Sequence, residues 1–149
     1  MPVQTCIDEN GSLVVFRFHE GVTTQQVLTA SAETAAAVDG SAAFSSLLLF
    51  EAGVDLSEID AEAINAIRQN REREFRDFGL TRRAGAAVVD GSLDARLVLK
   101  LWNALCDCDP EIDLSFKLFD KAGPALEWLG IPAARAEPVI ERTGYRPKF

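Results

Sequence analysis

The stretch Leu47-Leu48-Leu49-Phe50 decides the fold of this 149-residue chain. It has no polar residue to alternate with the apolar ones, and such a run is typical of a central parallel strand buried on both faces. Three more apolar runs, Leu13 to Phe18, Ala84 to Val89 and Ile112 to Phe119, are each followed by a helix-length segment. Strands that alternate with helices predict an α/β fold with a mainly parallel sheet.

A short hairpin is predicted at the start of the chain. Thr5 to Ile7 forms a first strand, and Asn10-Gly11 supplies the positive φ angles that a tight turn needs before the strand at Leu13. This hairpin would add an antiparallel strand at one edge of the sheet. We therefore predict a mixed, mainly parallel five-stranded sheet with helices on both faces.

Start and stop signals bracket the helices. Thr23 precedes the first helix with Gln26 in the capping-box position, and either Ser57 or Asp60 caps the second helix, which Gly79 ends. The predicted core-facing residues of the second and third helices are Ile64, Ile67, Phe75, Phe78, Leu97, Val98, Leu101, Trp102 and Leu105.

The last segment of the chain differs from the rest. Residues 1–130 are predicted to form one α/β domain, whereas residues 131–149 contain Pro132, Pro138 and Pro147 and show no clear periodicity. We predict an extended tail that packs on the domain or on a neighbouring subunit. Tyr145 and Phe149 are its predicted anchors and interface candidates.

Composition and charge narrow the function classes. The chain is 48% hydrophobic and 26% charged, which is ordinary for a globular protein with one core. A net charge of −8 repels nucleic acid and anionic lipid, so neither is an expected partner. No apolar run approaches the length of a membrane span, and the start lacks the pattern of a secretory signal, so a cytoplasmic location is expected.

Three short motifs accompany this order of elements. They are Gly21-Val22-Thr23 before the first helix, Phe119-Asp120-Lys121-Ala122 after the last strand, and Ala125-Leu126-Glu127-Trp128-Leu129 at the end of the domain. With the element order, they resemble the SpoIIAA-like family. That family shares its fold with STAS domains, which bind partner proteins, and with CRAL-TRIO carriers, which hold apolar ligands. The resemblance implies a binding or regulatory module more than an enzyme.

The resemblance also directs attention to Ser57. STAS anti-sigma antagonists carry a phosphorylated serine at a helix start, and in the matching stretch here only Ser57 can take that role. The doubled serine and the glycine of that motif are missing, and Asp55 and Glu58 would oppose a phosphate. A role in helix capping is the alternative.

Ligands of parallel sheets bind beyond the carboxyl ends of the strands. The candidates at this rim are His19, Glu51, Asp55, Ser57, Asp90 and Ser92. They are consistent with a hydrolase or metal enzyme, but none shows a tight metal-ligand spacing, and loop carboxylates more often serve turns and caps.

No sequence motif indicates a particular enzymatic reaction. Cys106-Asp107-Cys108 is not a redox pair, and the chain contains no nucleophile elbow and no glycine-rich phosphate loop, so no cofactor, metal or catalytic residue is predicted. Arginines from Arg68 to Arg83 favour a solvated, salt-bridged helix face over an anion site. Arg71 lies within the apolar stripe of the second helix and is a candidate for pairing across a subunit interface.

These observations predict a non-catalytic module that acts through a protein partner or as a homodimer. The alternative is a protein that binds a small apolar ligand or lipid. The aromatic residues that either fill the core or line such a pocket are Phe75, Phe78, Trp102, Phe116 and Trp128.

Overall fold

A five-stranded sheet forms the centre of the structure. The computed structural model describes residues 2–8, 11–38, 43–89, 91–107 and 116–145, except for the side chains of residues 81–83 and 105–107. The strands are β1 (Val3–Ile7), β2 (Leu13–Phe18), β3 (Ala43–Phe50), β4 (Thr81–Val89) and β5 (Phe116–Phe119). The helices are α1 (Thr24–Ala37), α2 (Ala61–Phe78), α3 (Leu93–Asp107), α4 (Ala122–Leu129) and α5 (Ala133–Arg142).

The strands lie side by side in chain order, β1-β2-β3-β4-β5. β1 is antiparallel to β2, and every other neighbouring pair is parallel. In the central register Leu47 lies opposite Val15 and Ala86. The predicted mixed α/β sheet with an antiparallel hairpin edge is confirmed. Asn10 and the predicted start of the last strand at Ile112 lie outside the described residues.

Alternation along β3 divides its side chains between two cores. Leu47 and Leu49 point to a core that α4 and α5 cover, whereas Phe44 and Phe50 point to a core beneath α1, α2 and α3. Successive residues of a strand face opposite sides of the sheet, so an uninterrupted apolar run serves both cores. Helices therefore lie on both faces of the sheet, as predicted.

The strand order explains why three helices share one face. α1, α2 and α3 each connect two parallel neighbours, and each connection moves one strand further in the same direction. Such connections are right-handed almost without exception, so helices that move in one direction cover the same face. The opposite face is left to α4 and α5.

Two predicted helix starts can be compared with the structure. The Thr23 hydroxyl accepts from the Gln26 amide at 3.2 Å and the Gln26 side chain accepts from the Thr23 amide at 2.9 Å, which confirms the capping box. At α2 the Asp60 carboxylate accepts from the Ala63 amide at 2.8 Å. Asp60 caps this helix, and the alternative cap at Ser57 is wrong.

The predicted core faces of α2 and α3 are wrong at three positions. Phe78, Leu97 and Leu101 are 49%, 57% and 38% exposed. Among the described side chains of α3, the buried ones are instead Ala95 and Leu99. The side chain of Leu105, also predicted to face the core, lies outside the described residues. This helix carries apolar residues on two sides, so its hydrophobic pattern alone does not determine which side faces the sheet.

The tail predicted to be extended contains a helix, α5. Pro132 stands at its N-cap and Pro138 lies inside it. Ala136, Val139 and Ile140 are buried against the sheet at helical spacing, and this packing outweighs the unfavourable proline. Within the described residues, the end of the chain is therefore part of the domain that it follows in sequence.

Two arginines fasten α5 to the first hairpin. Arg135 donates to the Asp8 carboxylate at 2.7 Å and also to the Ser12 hydroxyl. Burial by itself raises the pKa of Asp8, but hydrogen bonds from Arg135 and from the Leu13 and Ser12 amides bring it below its usual value. At the other end of α5, Arg17 donates to the Thr143 carbonyl at 3.0 Å.

Candidate functional site

An apolar cavity of about 100 Å³ lies between the sheet and the layer of α1, α2 and α3. Its floor is formed by β1, β2 and β3, and its roof by the three helices and the loop before α2. The aromatic rings at its wall belong to Phe16, Phe18, Phe50 and Trp102. The cavity opens to solvent on one side. Leu48 of the central strand lines it and is therefore only half-buried.

Small side chains keep this space open. Ala30 and Ser31 on α1 and Ser46 on β3 line the cavity, and larger residues at these positions would fill part of it. The interiors of proteins are close-packed, and voids larger than a water molecule are few. A cavity of this size within a domain of 149 residues is therefore a distinct feature of the fold.

The wall of the cavity is almost entirely apolar. Its polar lining residues among those described are Ser31, Ser46 and Arg71. Arg71 donates to the Ser31 hydroxyl at 3.2 Å, and the Ser31 hydroxyl donates to Glu74 at 2.6 Å. The Arg71 guanidinium also stacks over the Phe75 ring, 5.5 Å from its centre. A guanidinium is thus held in a fixed place at the wall of an apolar space.

A much smaller cavity, of about 10 Å³, lies on the far side of this group. It shares Ser31 and Arg71 with the large cavity, and Glu74 lines the small one but not the large one. Glu74 is 8% exposed. Arg71 therefore borders both spaces, whereas the Glu74 carboxylate borders only the smaller one.

The described rim candidates lie elsewhere and contact neighbouring side chains or backbone. Glu51 accepts from Arg17 at 3.0 Å, and Ser92 caps α3 through a hydrogen bond from the Ala95 amide at 3.2 Å. Asp55 accepts from the Ser57 amide at 2.9 Å, and hydrogen bonds from Ser57 lower the pKa of this exposed carboxyl.

The structure does bring two rim segments together. The backbone of Gly21 forms a parallel bridge with that of Asp55, and the ring nitrogen of His19 lies 3.8 Å from a Glu20 oxygen. Asp90 lies outside the described residues. None of the described rim candidates lines the large cavity.

The topology does not favour a deep crevice at this rim. A crevice forms at the carboxyl ends of parallel strands where the strand order reverses direction. From β2 to β5 the order advances without a reversal, so neighbouring loops are not forced apart. Among the described residues, no three His, Cys, Asp or Glu side chains lie close enough together to hold a metal ion.

The two described interface candidates have partners within the chain. Arg71 lines the cavity, and Tyr145 is 8% exposed in the core beneath α5. Phe149 lies outside the described residues. Of the five aromatics considered for a pocket, Trp102 lines the large cavity and Phe75 the small one.

Sequence reasoning missed two polar residues of the cavity, Ser31 and Ser46. Both lie at apolar positions of their elements, Ser31 next to Ala30 on the buried side of α1 and Ser46 beside Leu47 in the central strand. A small polar residue within an otherwise apolar run was the signal available for them.

Comparison with protein-family models and with the curated proteins found no match to this chain. In the part of the chain that the structure describes, none of the helices combines the length and the apolar character needed to cross a bilayer.

Proposed function

We propose that this protein is a non-catalytic binding protein that holds a small apolar ligand between its helix layer and its sheet. The observation that carries the proposal is the apolar cavity of about 100 Å³ with an opening to solvent. An apolar cavity of about 150 Å³ is enough to bind benzene. The cavity here suits a ligand of similar or slightly smaller size, or the apolar end of a larger one.

The energetic argument supports the same function. Each Å³ of unfilled cavity lowers stability by about 24 cal/mol. The void of about 100 Å³ then sets an upper limit of about 2.4 kcal/mol, and the opening to solvent lowers the actual cost. A ligand that fills the space returns this stability. The resemblance to a family related to apolar-ligand carriers is consistent with the proposal.

The composition of the wall favours binding over catalysis. A general acid or base must lie within hydrogen-bonding distance of the proton that it transfers. The polar residues at the described part of the wall carry two hydroxyls and a guanidinium, and the carboxylate of Glu74 borders only the smaller cavity. Ligand retention is therefore the activity that these side chains support best.

Nuclear magnetic resonance with benzene tests this function. We expect shifts in the amide signals of α1, α2 and α3 and in the indole signal of Trp102, whereas α5 and Trp128, on the opposite face, remain unchanged. The variant Ala30→Leu, which fills the cavity, should lose the response. Shifts spread evenly over the surface, or none at millimolar benzene, would refute the proposal.

A second candidate function, self-association, is favoured by the exposed side of α3. Leu93, Leu97 and Leu101 recur every four residues and are 68%, 57% and 38% exposed. An apolar strip of this kind would leave water if it met its own copy, and this gain can offset the net charge of −8 that otherwise opposes association. We infer a homodimer through this leucine face.

Light scattering tests the homodimer. We expect the mass of two chains at tens of micromolar, and the mass of one chain for Leu97→Glu. The control is Arg73→Glu, an exposed position of α2 that lies outside the leucine face, which should stay dimeric. A monomeric parent protein removes this candidate.

A further inference from the structure

The outer edge of β1 carries backbone groups that the ladder with β2 does not use. The Pro2 carbonyl accepts from the His19 amide at 2.9 Å, and the Asp8 amide donates to the Leu13 carbonyl at 3.0 Å. In an antiparallel pair every second residue directs its N–H and C=O to the partner strand, so the even-numbered residues between Pro2 and Asp8 do the same. The residues whose N–H and C=O point away from β2 are Val3, Thr5 and Ile7.

β1 lacks features that usually protect such an edge. It is the first strand of the sheet, and among the described residues it pairs with β2 alone. Protected edge strands tend to carry charged side chains, prolines or bulges. β1 has no charged residue and no proline, and its register with β2 is unbroken. Gln4 to Ile7 are half-buried, so solvent reaches this part of the strand. The edge can therefore accept a further strand.

A groove of about 200 Å³ lies between the start of β1 and α1. Pro2 and Val3 line it on one side. On the other side Gln25, Thr29 and Glu33 recur every four residues and form an exposed row along α1. Extended peptides that add to a sheet edge gain affinity from main-chain hydrogen bonds and specificity from alternate side chains. A segment that extends the sheet beyond β1 would meet this row with the side chains of one face.

The charge at the groove indicates which peptides fit. Glu33 is the only charged side chain among the described residues that line it. Gln25 and Thr29 are neutral, and the Gln25 amide donates to the Thr29 hydroxyl at 3.3 Å. The whole chain has a net charge of −8. Both the local and the overall charge attract a positively charged segment.

From this geometry we propose that β1 is a docking edge for an extended segment of a partner protein, which adds as a further strand and carries a lysine or arginine that pairs with Glu33. A second copy of the chain fits less well, because it brings its own net charge of −8 and its β1 has no basic residue to meet Glu33. The proposal does not depend on the apolar cavity.

Peptide titrations followed by nuclear magnetic resonance test the docking edge. The probe is a capped peptide of about seven residues, with alternating valine and threonine and one central lysine. We expect hydrogen exchange at the Thr5 and Ile7 amides to slow by about tenfold or more at saturation, whereas the Cys6 amide, which faces β2, changes little. A peptide with glutamate in place of lysine should bind about fivefold more weakly.

Variants separate backbone pairing from charge recognition. Thr5→Pro removes an outward donor at a place where edge strands tolerate proline, and it should weaken binding about tenfold. A peptide methylated on two neighbouring central nitrogens, one on each edge, tests the same hydrogen bonds with the parent protein and should bind as weakly. Glu33→Gln should abolish the preference for lysine over glutamate. Glu127→Gln, which removes the same charge at an exposed position of α4, is the matched control and should retain it.

The contrary results are equally specific. Exchange that slows elsewhere but not in β1, equal binding of the methylated peptide, or no binding at millimolar peptide would overturn strand addition. Equal affinity of the parent protein for the lysine and glutamate peptides would overturn the basic partner. Protection of the Thr5 and Ile7 amides without peptide, with a doubled mass that persists in Leu97→Glu, would replace the partner segment by a second copy of the chain.

Discussion

Filling the cavity should stabilise this protein, which is the opposite of what most core substitutions do. Ala30→Leu adds three carbon atoms at a position of α1 that lines the cavity. At about 0.8 kcal/mol for each buried carbon, the added atoms contribute up to about 2.4 kcal/mol. The void of about 100 Å³ sets the same limit at about 24 cal/mol per Å³. Because the cavity opens to solvent, we expect about half of this limit.

Urea unfolding of the parent and variant proteins measures the effect. We expect Ala30→Leu to raise the free energy of unfolding by about 1 kcal/mol, which corresponds to about 2 to 4 °C in Tm for a chain of this size. The control is Ala35→Leu in the same helix, which adjoins only about 10 Å³ of space and should lose about 1 to 3 kcal/mol through overpacking. Equal destabilisation of both variants would show that no usable space exists beside Ala30.

Three further predictions concern the rest of the fold. The pKa of Asp8 is lowered in the folded protein, so its ionised form stabilises the fold above the carboxyl's usual pKa, and this stabilisation is lost as the pH falls. Asp8→Asn should therefore lower the free energy of unfolding at neutral pH. The difference between parent and variant, measured by urea unfolding at a series of pH values, should shrink in acid. Gly144→Ala should lower the free energy of unfolding in urea by about 1 to 3 kcal/mol, and Gly130→Ala should lower it less. Both glycines have positive φ, but only at Gly144 would the added carbon lie 2.7 Å from a side-chain nitrogen. Asp60→Ala should lower the free energy of unfolding by about 1 kcal/mol, whereas Ser57→Ala should leave it nearly unchanged. Equal losses in thermal unfolding would contradict the assignment of Asp60 as the cap of α2.

The sheet was predictable because its signals are local. A run such as Leu47 to Phe50 has few uses other than a strand buried on both sides, and Thr23 with Gln26 marks a helix start through its own hydrogen bonds. The order of strands and helices then restricts the topology through the handedness of parallel connections. These features require no knowledge of distant contacts.

The predictions failed where contacts between residues distant in sequence determine the structure. α5 forms despite Pro138 because Val139 and Ile140 find a place on the far face of the sheet, which the sequence does not reveal. α3 has two apolar sides, and which one is buried depends on how α2 and the sheet leave room for it. In both helices tertiary packing overrides the local pattern.

The cavity was the least predictable feature. Its existence depends on the volume left between two layers, whereas a sequence specifies only that the residues are apolar. Arg71 was conspicuous in the apolar stripe, but its assignment to a subunit interface depended on a neighbour that the sequence did not show. The structure gives it a partner in Ser31 of the same chain.

The most direct test of the central claim is a crystal structure of the protein under xenon pressure, because xenon occupies apolar cavities without needing a polar contact. We predict a xenon atom between Leu48 and Trp102, beneath α1 and α2. A crystal in which side chains fill this space and no xenon binds there would contradict the proposal that the protein holds an apolar ligand.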